Sequence, residues 1–446
     1  MLALLLLSGC GRKATVHHLS VVPEPVFLVE KESFFTLPSN PKVSMVNLGQ
    51  NSATVKYIMR SLRHSHMHPR LVAVSRESDI ELQLYDTLNT ELGDEGYLLE
   101  VRGNGIRLSA NTEIGLFYAY QTLLQILPVD VTRVPYSSIA LPECTILDYP
   151  RFPWRGVHVN LSGHPMSVKS IRKLTDVMAH YKMNRLCIDG GVWNEDTSCW
   201  MIDSSFSYRR EEVEELLSYA ATMGVTLVWD SLPMACASLH EGLDSARVGW
   251  EVVMSPSDYW DFDRYQADSR YQPQASEGVV TLGRAYEFDP VPLGTNTHLA
   301  SMIAGGQCRL LTDCVDSDPQ VEYMLFPRML AVSECLWSPR DQKDWNRFRR
   351  KTEVQKDRLE SMGFRYCEGS FTPLFSARRV DDHTMNITIS TEVPNTYIFY
   401  TTDLSTPTRQ SNIYLGPVNL SRGTHIKLLP VYKGEVRDSV YEFVIK

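Results

Sequence analysis

The chain has 446 residues, too many for one average domain and suited to two to four. It is 43% apolar and 22% charged, a globular composition that excludes wholesale disorder. A net charge of −9 without a basic block argues against a nucleic-acid partner. Aromatic residues reach 10%, and these would serve carbohydrate stacking or equally a large core.

The apolar run from Met1 to Leu7 is far too short to span a bilayer and reads as the end of a secretory signal. Leu7-Ser8-Gly9-Cys10 resembles the lipobox of bacterial lipoproteins. That resemblance implies acylation at Cys10 and an exported protein, periplasmic or cell-surface, that meets the membrane through a lipid anchor only. Residues 1–20 are then signal and tether. The eight other cysteines form no C-x-x-C pair, which argues against a zinc ribbon or a thioredoxin-type site. Their pairing is not fixed by sequence, and buried free thiols are expected. His64, His66 and His68 alternate as a metal clip would, but no acidic or Cys partner stands near, so a solvated loop is expected and no metal or cofactor is called for.

Residues 21–150 read as a small α+β domain. Asp79–Leu84 and Gly96–Val101 alternate at period two, Gly103-Asn104-Gly105 supplies a turn, and Ile106–Ala110 is a further strand. A helix follows through Gly115–Leu127 and stops at Pro128. From 151 to 367 the rhythm is strand then helix. Gly156–Leu161, Arg185–Ile188 and Val225–Trp229 are strands, and Ser167–Tyr181 and Arg210–Met223 are helices. Such alternation means a parallel sheet with helices outside it. There is no G-x-G-x-x-G and no P-loop. Residues 368–446 carry short strands at Met385–Ser390, Tyr397–Tyr400 and Tyr441–Ile445, as in a small β-sandwich.

Asp148-Tyr149-Pro150-Arg151-Phe152-Pro153-Trp154-Arg155-Gly156 resembles the lead into the barrel of family 20 glycoside hydrolases, the β-N-acetylhexosaminidases. Tyr181–Asn184 is similar to the lead into that family's second strand, and Glu211–Trp229 to its third unit. Val252–Pro256 with Phe262–Gln266 resembles its seventh strand. Val321–Arg328 and Glu334–Pro339 resemble its eighth-strand region and last helix. Glu95-Gly96-Tyr97 and the Tyr118–Leu127 helix match its α+β leader, and Tyr400–Asp403 with Thr406–Thr408 matches its C-terminal module.

The resemblance implies substrate assistance, in which the sugar's own acetamido carbonyl attacks C1 and a Glu protonates the leaving oxygen. The family carries that Glu after an Asp at the end of strand four. No such pair follows here, because the chain passes from Trp229-Asp230-Ser231 to Val252 within about 20 residues. Asp189-Gly190-Gly191 with Glu195-Asp196 imitates the pair but follows strand two, and Ser231 stands where a strand-five Glu would be. The family's ring-gripping Arg falls at Gly163, its pocket Trp at Leu311, and an expected Tyr at Asp261. Asp263 near the acetamido group, Asp313 for distal hydroxyls, Trp337 as a stacking face and Asp261 remain as candidate substrate-binding residues.

Residues 151–367 are also short of the ~250 residues of a plain barrel. The expected fold is therefore α/β: a truncated TIM-barrel-like parallel sheet of fewer than eight strands, preceded by a small α+β domain and followed by a small β-sandwich. The expected function is recognition of N-acetylhexosamine-containing glycans by a catalytically impaired relative of the hexosaminidases. An active hexosaminidase and a structural partner in a glycan-handling membrane assembly are the alternatives.

Overall fold

In strands Ile80–Leu84, Tyr97–Arg102 and Gly105–Ala110 the apolar side chains alternate with polar ones, so one face of the sheet packs inward. The computed structural model describes residues 12–446 except 75–77, 203–204, 230–234 and 237, with 235–236 described in backbone only. Cys10, Asp230 and Ser231 lie outside the described residues. The N-terminal sheet runs Lys13–Thr15, Ser138–Asp148, Tyr97–Arg102, Gly105–Ala110, Ile80–Leu84, Lys42–Val46, Arg70–Leu71. Phe27–Pro38 also pairs with Ser138–Asp148. Helix Glu113–Ile126 starts at Thr112, whose hydroxyl accepts the Gly115 N–H. It is apolar nearly all round because it is buried between this sheet and the next layer.

The central sheet has six parallel strands in the order Thr226–Trp229, Arg185–Asp189, Trp154–Asn160, Ile303–Leu311, Val252–Met254, Ala235–Cys236. Among the described residues the two outer strands do not pair with each other, so the sheet is an open arc of a barrel. Helices Val168–His180 and Arg210–Thr222 follow the strands as the periodicity predicts. Gly224, at φ 68°, supplies the left-handed turn that lets the chain re-enter the sheet. One expectation fails here. Val321–Arg328 is helical, within Asp318–Leu325 and the start of Arg328–Trp337, and the strand beside Trp154–Asn160 is Ile303–Leu311. The latter is buried on both faces from Ile303 to Cys308, so period two cannot show there.

The C-terminal module is two sheets. Leu374–Arg379, Thr384–Ser390 and Val418–Ser421 form one; Tyr397–Thr401, His425–Tyr432 and their neighbours form the other. Ile387, Ile389, Ile398, Ile426 and Leu428 fill the space between them. Buried Glu392 ties the module to the arc by accepting the backbone N–H of Leu282, Gly283 and Ser370.

A buried polar cluster joins the N-terminal sheet to the arc. Lys182 and Asp148 form a fully buried pair at 2.7 Å, and the Tyr97 hydroxyl donates to the same carboxylate at 2.6 Å. Arg155, also fully buried, donates to Glu95 through both terminal nitrogens and to the Phe152 and Lys182 carbonyls. These groups satisfy one another in a dry setting, which makes the joint specific as well as tight.

Candidate functional site

In strand–helix arcs the working end lies at the C-terminal ends of the strands. There the register pairs Cys187 and Arg309 with His158, and Asp189 and Leu311 with Asn160, so these side chains share the inner face. His158 Nε2 lies 3.0 Å from Asp189 Oδ1. Arg309 holds Asp261 with two bonds, Nε to Oδ1 at 3.1 Å and Nη2 to Oδ2 at 2.7 Å. Burial pushes the Asp261 carboxyl above its usual pKa, Arg309 opposes the rise, and neighbouring Asp263 adds to it.

Asp263 is 9% exposed, and its Oδ1 has no hydrogen-bond partner among the described residues. Fully buried Arg328 donates to the carbonyls of Phe262, Arg264, Val280 and Met324, fixing the loop that carries Asp263. Burial pulls the Arg328 pKa down to about 10, against the nearby Cys367, Cys308 and Asp263.

The loop after Trp154–Asn160 is pinned to Thr312, whose hydroxyl oxygen accepts the N–H of Gly163 at 3.1 Å and of His164 at 2.8 Å. His164 in turn contacts Asp318 at 3.0 Å, and the Ser167 and Ser170 hydroxyls donate to the same carboxylate at 2.8 and 2.6 Å. Burial works against ionisation of Asp318, but Ser170, Ser167 and His164 together hold its pKa below the ordinary range. Asp313, one residue beyond Thr312, is exposed.

Of the candidate binding residues, Asp261 and Asp263 are brought together and Asp313 lies at the end of the adjacent strand. Trp337 is a correction. It is fully buried, its indole N–H donates to Asp148 at 2.9 Å, and the Arg155 and Lys182 cations lie over its ring. It has no face open to a sugar, since the N-terminal sheet covers it. The imitation acid pair also divides. Asp189 is bound to His158, while Glu195 and Asp196 are exposed at the tip of a hairpin between Val192–Asn194 and Cys199–Met201. The Arg309–Asp261 and His158–Asp189 pairs escaped the sequence reading. Their signal was an ionisable residue set among mostly apolar neighbours, Arg309 in Ile303–Leu311 and His158 in Trp154–Asn160.

Three family models match the chain in order. "Glycosyl hydrolase family 20, domain 2" covers residues 18–149, the family 20 catalytic domain covers 152–189 and 229–340, and the "Chitobiase/beta-hexosaminidase C-terminal domain" covers 381–442. The chain belongs to glycoside hydrolase family 20. The beta-hexosaminidase of Porphyromonas gingivalis is 21% identical over 97% of this chain and 76% of its own length. That alignment runs over 603 positions, more than this chain's 446 residues, so the chain lacks segments the relative has. Beta-hexosaminidase subunit beta of Sus scrofa is 37% identical over 32% of this chain, which spans 28% of that relative. Among solved structures, the Streptomyces plicatus N-acetyl-beta-hexosaminidase in complex with Thio-NAglucal superposes with TM-score 0.67 at 18% identity. The superposition covers 78% of this chain and 96% of that one, and it shows the shared family 20 fold. The catalytic-domain match breaks off at Asp189 and resumes at Trp229, so it skips the hairpin, helix Arg210–Thr222 and most of the outer strand Thr226–Trp229.

Proposed function

We propose that this family 20 chain binds terminal N-acetylhexosamine glycans at the open end of the arc and is impaired as a hydrolase, carried outside the membrane on a lipid at Cys10. The observation that carries this reading is the state of the carboxylates at the open end. Asp189 is engaged by His158, Asp261 by Arg309 and Asp318 by His164 with two serines. Substrate-assisted hydrolysis needs one carboxyl free to give a proton to the leaving oxygen, and each of these three is already committed to side-chain partners. The sequence from Trp229 to Val252 offers no adjacent Asp–Glu to fill the role. Asp263 supports retained recognition, because its buried Oδ1 has no donor among the described residues and an acetamido N–H would satisfy it.

Incubation with a chromogenic N-acetylglucosaminide, alongside calorimetry with chitobiose, tests the reading. Binding that weakens in Asp263→Asn, with no turnover, is expected. Turnover that disappears in Asp263→Asn would establish an active hexosaminidase instead.

A further inference from the structure

A large cavity lies away from the open end, between the N-terminal helix Ala53–His64 and helices Val168–His180, Arg210–Thr222 and Trp345–Ser361. Its volume is about 740 Å³, within the range of small-molecule sites. Tyr57, Leu124, Val131, Met223, Met362 and Phe364 give it an apolar floor.

Its rim carries two cations, Lys56 and Arg60, and the imidazole of His64. Lys56, Arg60 and His64 recur at four-residue spacing, so they form one row along helix Ala53–His64. All three are exposed, all three line the cavity, and none has an ion-pair partner among the described residues. Asp176, the one acid of the lining among the described residues, already accepts the Tyr219 hydroxyl. Four polar atoms of lining residues, Ser65 Oγ, Ser361 Oγ, His180 Nε2 and Arg358 Nε, are buried without a hydrogen-bond partner among the described residues. Unpaired cations beside an apolar chamber complement a molecule with an anionic head and a hydrocarbon tail. A sugar would leave the apolar floor without a match, and a compact anion would leave most of the volume unfilled.

We infer that this interdomain cavity is a binding site for a single-chain anionic amphiphile, with the carboxylate or phosphate head at Lys56, Arg60 and His64 and the hydrocarbon chain over Leu124, Met223 and Phe364. The site is separate from the glycan site, so its success or failure leaves the reading of the open end untouched.

The probe is dodecanoate below its micelle concentration, titrated into the full chain by calorimetry, with dodecanol as the uncharged control. Saturable binding at one site is expected, with dodecanol at least about tenfold weaker. A Lys56→Glu/Arg60→Glu variant should lose about tenfold or more in dodecanoate affinity and little for dodecanol. Leu124→Trp, which fills the chamber, should abolish both, with thermal unfolding confirming that each variant is folded. No saturable binding, or binding unchanged in folded Leu124→Trp, would overturn the site. Equal affinity for dodecanol, or no response to charge reversal, would overturn the role of the cationic rim.

Discussion

A Cβ built on Gly163 would sit 2.3 Å from the carbonyl oxygen of Thr312. The loop that follows the first strand of the arc is therefore pressed against the end of Ile303–Leu311, at the position the sequence resemblance assigns to the family's ring-gripping arginine. Gly163→Arg, the change that would restore the family's ring-gripping residue, cannot be accommodated without moving that backbone. It should lower stability by about 1–3 kcal/mol, read from denaturant midpoints, and leave chitobiose affinity no better than before. A gain in affinity at unchanged stability would mean that the loop is free to shift.

Trp337 has a structural effect of the opposite kind. Trp337→Ala should cost about 3–5 kcal/mol, because a fully buried indole is lost from the joint between sheet and arc. Trp337→Phe should cost less, since Asp148 keeps Lys182 and Tyr97. Chitobiose affinity of folded Trp337→Phe should match that of the parent chain. A selective loss of affinity at unchanged stability would restore the stacking role.

Glu334 gives the protein a pH signature. It is buried, accepts the Glu24 N–H at 3.1 Å, and burial, reinforced by the Glu24 charge, lifts its pKa to about 7. The folded state therefore holds this proton more tightly than the unfolded chain does. Its contribution is fully present below the unfolded value and is lost as pH rises towards 7. Glu334→Gln should gain stability relative to the parent as pH rises from 5 to 8, by up to about 3 kcal/mol. Parallel thermal unfolding curves across that range check it, and a pH-independent difference would count against a protonated Glu334.

Arg309→Met should leave the Asp261 carboxylate buried without its partner. The side chain of Arg309 is 31% exposed, so the loss should be modest, about 1–2 kcal/mol at pH 7. It should shrink at pH 5, where Asp261, already raised by burial, takes a proton more readily. A loss that is the same at both pH values would show that packing, and not charge, holds the pair.

Much of the architecture was legible because local patterns report it directly. Ile171, Leu174, Val177 and Met178 mark the buried face of Val168–His180, and Ser167 caps it as its residue type predicts. The shortened arc was legible from length and from the motifs missing between Trp229 and Val252. Strand Ile303–Leu311 was hidden, because both of its faces are buried and alternation vanishes. Trp337 was misread for a related reason: an aromatic residue in a family motif looks the same whether it faces a ligand or a neighbouring sheet. The Arg309–Asp261 and His158–Asp189 pairs depend on the register between strands, which sequence spacing does not carry.

The most direct measurement is turnover of a chromogenic N-acetylglucosaminide by the parent chain and by Asp263→Asn, over pH 4 to 8. Removing one general acid typically costs ~10²–10⁴ in rate, so even weak hydrolysis would register. The expected result is no release of chromophore above the buffer rate at any pH, with chitobiose still bound. Hydrolysis by the parent chain that is lost in Asp263→Asn would contradict an impaired site.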